Sequence, residues 1–338
     1  MNLSTRVAAF VQLGNLIKNL SIYEKEELFW NAENKNSWFT ASSSQSSLNG
    51  IAFMIAENKL NKWLSSYGKI EPESPKSIGI MMAGNIPAVG FHDLMTILIS
   101  GNKACVKLSS ADEVLMKWII NSLISIEPLF ADLIEMEEML KGKDAYIATG
   151  SDNSGRYFNY YFGKYPSIIR RNRTSIAVLS GNESTQELQT LGKDIFQYFG
   201  LGCRNVSKIF IQSKEQLQHL LDSLEIFSGV MNHHKYLNNY DYNKSILLVN
   251  REDHLDNGFL LVRETTDLVS PISVLFYEIY TDLGHLKTRL DLIKENIQCV
   301  VSNPEYYEGA VPFGRAQEPE VWDYADEVDT LRFLEGLN

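Results

Sequence analysis

From residue 77 onward the chain alternates short apolar runs with longer amphipathic stretches, and this alternation constrains the fold more than any other feature. Residues 77–82, 103–108, 144–149 and 176–179 read as buried strands. The stretches 87–100, 112–126 and 151–162 between them read as helices. Strands alternating with helices predict parallel sheets covered on both faces. The pattern restarts after about residue 180. Helices are expected over 185–199, 215–227 and 283–294, with strands at 208–212, 245–249, 259–262, 272–277 and 297–301. The first 65 residues read as mostly helical, with a serine-rich loop at 42–47 leading into a helix over 48–64. The expectation is an α/β protein of two doubly wound, Rossmann-like domains with mostly parallel sheets. Residues 1–180 form the first domain with its helical N-terminal segment, and 181–308 form the second. Residues 309–338 are a tail that returns to the first.

Charge narrows the set of partners. A net charge of −11 argues against nucleic acid or an anionic membrane surface as the main ligand. Three cysteines, few and odd in number, argue against a disulfide framework and fit a cytoplasmic protein. Met1 to Leu20 carries Val7, Phe10, Val11, Leu16 and Ile17 at helical spacing rather than as a secretory signal. The run Leu94 to Ile99 is far too short to span a bilayer, so no membrane span is expected.

Several strand ends carry residues suited to chemistry. Cys203 lies in Phe199-Gly200-Leu201-Gly202-Cys203-Arg204, with open backbone on one side and a cation on the other. Both favour an accessible thiolate, although a structural cysteine fits the same words. Cys105 and Cys299 sit in apolar, strand-like runs and read as packing residues. Asn85, in Ala83-Gly84-Asn85-Ile86-Pro87, is either an oxyanion donor or the cap of a helix begun by Pro87. Lys107 and Ser109 end another strand, where a cofactor phosphate or ribose could sit. Gly150 and Ser151 form a strand–turn–helix able to take a phosphate, without the G-x-G-x-x-G fingerprint. The span Asn153 to Asn182 lacks Asp and Glu but holds Arg156, Lys164, Arg170, Arg171 and Arg173, either a solvated face or a site for a phosphate-rich ligand. His233-His234 is the only paired histidine, and no metal site is expected.

Taken together and in order, these segments resemble the aldehyde dehydrogenase superfamily over roughly residues 77–334. More closely, they resemble acyl-CoA reductases of the bacterial bioluminescence (LuxC-like) type. The resemblance implies that Cys203 is the nucleophile and Asn85 the oxyanion donor. It implies that Lys107 and Ser109 contact the adenosine ribose or its 2′-phosphate, and that Gly150 and Ser151 lie beneath the pyrophosphate. Pro312-Phe313-Gly314 resembles the loop bordering the substrate tunnel, so Phe313 and Arg204 are expected to face substrate. Tyr324-Ala325-Asp326 and Asp329-Thr330-Leu331 resemble the reductases' C-terminus. The carboxylate that holds the nicotinamide ribose has two candidates, Glu264 and Asp267, with Glu264 the first choice. Oxidising relatives carry a water-activating glutamate where this chain has Ile169-Arg170-Arg171-Asn172-Arg173-Thr174. The implied first domain is cofactor-binding and the second catalytic.

The expected activity is NADPH-dependent reduction of an acyl-CoA thioester, fatty acyl by resemblance, to the aldehyde through an acyl-cysteine. The alternatives are a CoA-acylating aldehyde dehydrogenase acting on a short aldehyde, and a non-reducing acyl carrier or acyltransferase. A homo-oligomer is expected from base rates. An acyl-supplying partner protein is implied by the bioluminescent relatives.

Overall fold

The computed structural model describes residues 1–68, 70–150 and 152–337. The chain divides into two compact units, Met1–Asn172 with Glu318–Asn338, and Arg173–Gln317.

The first unit opens with four helices, α1 (Leu3–Asn19), α2 (Ile22–Lys35), α3 (Ala41–Met54) and α4 (Glu57–Leu64). Their starts follow from capping chemistry: Asn2 caps α1, and Ser21 with Glu24 closes a capping box on α2. Phe10, Leu13 and Ile17 of α1 are buried on one stripe. Then follow β1 (Ser77–Met81), α5 (Phe91–Ile99), β2 (Lys103–Lys107), α6 (Glu113–Ile126), β3 (Ile134–Met136), β4 (Ala145–Thr149), α7 (Asp152–Phe162) and β5 (Ser167–Arg170). The five strands make one parallel sheet in the order β3-β2-β1-β4-β5. The chain moves outward from β1 through β2 to β3, then crosses back to place β4 beside β1. The switch point of this doubly wound sheet is therefore the β1/β4 crevice, the usual ligand position in open α/β sheets.

The second unit holds β6 (Thr174–Val178), α8 (Thr185–Phe196), β7 (Val206–Ile211), α9 (Gln216–Leu224), α10 (His234–Asn250), β8 (Leu255–Asp256), β9 (Leu261–Glu264), β10 (Val274–Ile279), α11 (Leu283–Asp291) and β11 (Ile297–Val301). Its sheet runs β11-β6-β7-β10-β9-β8, parallel except for the short antiparallel edge β8. All six residues of β7 are buried, as expected of a central strand covered on both faces.

Of the tail, residues 318–338, ending in α12 (Thr330–Glu335), belong to the first unit, whereas 309–317 stay with the second. Trp63 Nε1 donates to Tyr324 Oη at 2.8 Å, and Tyr67 Oη donates to Asp329 at 2.8 Å. Arg170, at the end of β5, pairs with Asp93 of α5 and donates to Thr330 Oγ1 at 2.9 Å. Among the described residues no helix is long and apolar enough to cross a membrane.

Several expectations are corrected. The apolar run at 245–249 lies inside α10, where Leu247 is buried while Ile246, Leu248 and Val249 are exposed. A short apolar run cannot by itself distinguish strand from helix. The serine-rich patch at 42–47 is helical, because Thr40 caps α3 ahead of it and Ser43 and Ser44 are buried. The helix expected over 48–64 breaks between α3 and α4. The strand expected at 176–179 is β6, which pairs with β7 and β11, so the units divide at 172/173 rather than near 180. The short strands β3 and β5 lie in stretches read as connections.

Arg170→Met removes one partner of a buried ion pair and strands Asp93. It should lower unfolding free energy by about 3–5 kcal/mol, read from urea midpoints. A loss below about 1 kcal/mol would put the pair in the weak class of exposed salt bridges.

Candidate active site

In the first unit, three groups of candidate residues leave the C-terminal ends of adjacent parallel strands. Asn85 follows β1, Lys107 and Ser109 end or follow β2, and Gly150 follows β4. Ser151 lies outside the described residues.

Asn85 is exposed. It is not a helix cap, since α5 begins only at Phe91 with Gly90 at the capping position. The turn that carries it is held from several directions. Ser47 Oγ of α3 donates to the Pro87 carbonyl at 2.6 Å. Asp112, 2 % exposed, faces the amides of Ala88 and Val89 without reaching full hydrogen-bond geometry. Burial pushes the Asp112 carboxyl well above the usual carboxylate range. Ala88 is left-handed at φ 53°, a strained backbone for a residue with a side chain. Neither Ser47 nor Asp112 was marked by the sequence. Ser47 sits in an apparent low-complexity patch, and Asp112 looked like an ordinary residue at a helix start.

A cleft of about 280 Å³ opens at the C-terminal ends of β2 and β3, lined by Lys107, Ser109, Ser110, Glu113, Lys117 and Glu137 among others. Two of its carboxylates are already neutralised, Glu137 by Lys143 and Glu113 by Lys117 and Lys35. At Gly150 a Cβ would stand 2.8 Å from the Phe158 ring and 2.9 Å from Ser154 Cβ. Only glycine lets the backbone lie this close to α7.

In the second unit, Cys203 sits just before β7 and is half-buried. The approach to it is conformationally unusual. Tyr198, Phe199, Gly200 and Gly202 all have positive φ, at 53°, 57°, 81° and 101°. Non-glycine residues held there cost roughly 1–3 kcal/mol each and persist only when packing over-determines them. Packing does so here, with Tyr198 7 % exposed and the Phe199 ring 4.4 Å from that of His233. Beyond the cysteine, Asn205 Nδ2 donates to the carbonyls of Asp194 and Ile195 at 3.0 and 2.5 Å, closing the end of α8. Ser175 Oγ donates to the Cys203 carbonyl at 3.0 Å. The nucleophile candidate thus projects from a turn fixed on both sides.

The buried Asp194 carboxylate also accepts from the amides of Gly314, at 2.5 Å, and Ala316, at 3.0 Å. It anchors the Pro312-Phe313-Gly314 loop against α8. Phe313 is 8 % exposed. Arg204 donates to the Ala316 carbonyl at 3.4 Å, joining the cysteine turn to the same loop. Of the two residues expected to face substrate, Arg204 thus contacts the 312–316 loop and Phe313 is buried.

Glu264 and Asp267 separate. Glu264 ends β9 and pairs with Lys214, 2.7 Å away and beyond the C-terminal end of β7. Cys203 enters at the other end of β7, so the sheet does not bring Glu264 to the cysteine. Asp267 lies on the return loop toward β10 and is exposed.

Several of the remaining candidates take structural duties. Cys105 is 1 % exposed, and burial pushes its thiol pKa up. Cys299 shares a hydrogen bond with Ser175 at 3.0 Å. Cys105 stands close to Glu135 and Glu137, but these carboxylates are paired with Lys103 and Lys143. His233 caps α10, its Nδ1 accepting from the Tyr236 amide at 3.4 Å. Of the basic span, Arg170 is committed to Asp93, and Arg173 donates to the Ile297 carbonyl at 3.1 Å. Arg156, Lys164 and Arg171 are exposed.

No family model and no curated protein matches the sequence. Solved structures do match the fold. Aldehyde dehydrogenase 21 from Physcomitrella patens, in complex with the reaction product succinate, superposes with a TM-score of 0.68 at 12 % identity, over 100 % of this chain and 84 % of that one. An oxidoreductase from Marinobacter aquaeolei gives 0.67 at 11 % identity, over 95 % and 79 % of the two chains. Aldehyde dehydrogenase C from Pseudomonas syringae, complexed with NAD+ and octanal, gives 0.63 at 10 % identity, over 90 % and 73 %. The fold is that of the aldehyde dehydrogenases, and at these identities the likeness speaks for the fold alone.

Alkylation follows thiolate character and exposure. Limiting iodoacetamide should label half-buried Cys203 well before Cys105, as read by peptide mass spectrometry. Labelling of Cys105 first would contradict the burial described.

Proposed function

We propose that the protein is a nicotinamide-dependent oxidoreductase that reduces an acyl-CoA thioester to the aldehyde, with Cys203 as the nucleophile. The observation that carries this reading is a pairing within an aldehyde dehydrogenase-like fold. A cysteine projects from a rigid left-handed turn before β7, while the segment joining β5 to β6 offers no carboxylate to activate water. That segment is Arg171-Asn172-Arg173, and the nearby Asp93 is locked to Arg170.

Cys203 attacks the thioester carbonyl carbon, and the C–S bond to CoA breaks as CoA thiolate leaves. The acyl group stays on the Cys203 sulfur. Asn85 Nδ2 and the Cys203 amide donate to the oxyanion that develops at the carbonyl oxygen. Because no side chain between β5 and β6 can take a proton from water, the acyl-cysteine resists hydrolysis and persists for reduction. A bound nicotinamide supplies the hydride that this reduction needs. Returning electrons from the reduced carbon's oxygen then expel the Cys203 thiolate and release aldehyde.

The residues present fit such a cofactor. The cleft beyond β2 and β3 is large enough for a nucleoside, and Lys107 and Ser109 line it. Gly150 lets the turn after β4 pack closely on α7 at the β1/β4 switch point, where a pyrophosphate would lie. With Glu113 and Glu137 neutralised, Lys107 favours a 2′-phosphate and so NADPH. The acyl group is proposed to be fatty by resemblance to the bioluminescence-type reductases.

Mixing the protein with long- and short-chain acyl-CoA without NADPH should add one acyl mass to the intact chain, absent in Cys203→Ala. Asn85→Ala should slow this acylation by about 10²–10³. An unmodified wild type across all chain lengths would reject the reading. A near-normal rate in Asn85→Ala would reject the oxyanion assignment alone.

A further inference from the structure

Cys203 and Cys299 share one hydroxyl. Ser175 Oγ of β6 donates to the Cys203 carbonyl at 3.0 Å, and the Cys299 sulfur lies 3.0 Å from the same oxygen. A serine hydroxyl has a single proton. With that proton on the Cys203 carbonyl, Cys299 S–H is the donor to Ser175 Oγ. The chain therefore runs from the Cys299 thiol through Ser175 to the backbone of Cys203. Ser175 is 0 % exposed, while both cysteines are half-buried.

Two features of the second unit bring them together. The first is a bulge in β11. Ile297 faces Thr174 and Val300 faces Ile176, so Gln298 and Cys299 together oppose Ser175 alone. An extra residue of this kind re-aims a side chain, and bulges are common beside active sites. Arg173 Nη1 holds the start of the bulged strand through the Ile297 carbonyl at 3.1 Å. The second is the stitching of the cysteine turn to the same end of β6. The Asn205 carbonyl accepts from the Ser175 amide at 3.1 Å and from Thr174 Oγ1 at 3.2 Å. Cys105, 1 % exposed in an apolar cluster with Tyr146 and Phe162, shows what a packing cysteine looks like in this chain. Cys299 instead bonds the hydroxyl that holds the Cys203 turn. Gly202, at φ 101°, stands immediately before Cys203 and gives its backbone freedom to adjust.

We infer that Cys203 and Cys299 are a dithiol pair that hydrogen peroxide converts to a reversible disulfide, with Cys299 as the resolving thiol. The Cys203 thiolate attacks one peroxide oxygen, the O–O bond breaks and hydroxide leaves, so Cys203 becomes a sulfenic acid. The Cys299 sulfur then attacks the Cys203 sulfur. The S–S bond forms, the S–O bond breaks, and the hydroxyl leaves as water with the Cys299 proton. Two thiols lose two electrons, and the peroxide ends as two waters once the hydroxide takes up the proton that Cys203 had released. Without a resolving thiol the sulfenic acid is carried on to sulfinic acid, which thiols do not reverse. The pair forms whatever reaction the protein performs; its effect on activity rests on the reading of Cys203 as nucleophile.

The test titrates the reduced full chain with hydrogen peroxide and follows intact mass, non-reducing peptide maps and acylation by acyl-CoA. The wild type should lose the mass of two hydrogens, yield a Cys203–Cys299 cross-linked peptide, and lose acylation in step. Dithiothreitol should restore all three. Cys299→Ser, which keeps a donor for Ser175, should acylate at the wild-type rate when reduced. Under peroxide it should form no cross-link, gain two oxygens on Cys203, and stay inactive after dithiothreitol. Cys299→Ala serves if the serine variant does not fold. Direct oxidation of wild-type Cys203 to the sulfinic acid, a cross-link through Cys105, or full recovery of oxidised Cys299→Ser in dithiothreitol would each overturn the inference. A wild type that forms the disulfide but never acylates when reduced would support the pair and overturn the reductase reading alone.

Discussion

A parallel strand buried on both faces has no side chain to spare for chemistry, so reactive groups must come from the strand ends. That constraint organises this protein. The central strands β1, β2, β4 and β7 are almost wholly buried, and the residues argued to act lie within a few positions of their ends. Asn85, Lys107 and Gly150 leave C-terminal ends at or beside a switch point. Cys203 precedes β7, on a turn whose left-handed residues are fixed by the Tyr198 and Phe199 rings.

Strand ends are loops, and loops drift unless something holds them. Here buried charge does much of the holding. Asp194 grips the amides of Gly314 and Ala316, and Lys208 with Arg289 grips carbonyls 265–267. These pairings connect a charge to backbone polar groups that burial would otherwise leave unsatisfied. Arg204 in turn joins the cysteine turn to the 312–316 loop through the Ala316 carbonyl.

Much of this was legible in the sequence. Apolar runs such as Ile78 to Met81 and Ile209 to Ile211 announce buried strands, and glycines around Cys203 announce an open turn. The limits were equally physical. Ile246 to Val249 is apolar enough for a strand, but α10 starts from the His233 cap and runs through it. Lys208 reads as a surface residue until β7 closes over it. Ser47, Asp112 and Asp194 support their loops through contacts 40, 24 and 120 or more positions apart or across a turn, and no local pattern marks such partners.

The central claim is that the acyl group on Cys203 is discharged by hydride and not by water. The direct measurement is the lifetime of the preformed acyl-enzyme, followed by intact mass in buffer alone and after NADPH. The account predicts an adduct that persists in buffer and disappears within the first turnover with NADPH, yielding one aldehyde per chain. An adduct that clears equally fast in buffer, releasing the free acid, would contradict it and mean that the chain activates water through a group not identified above.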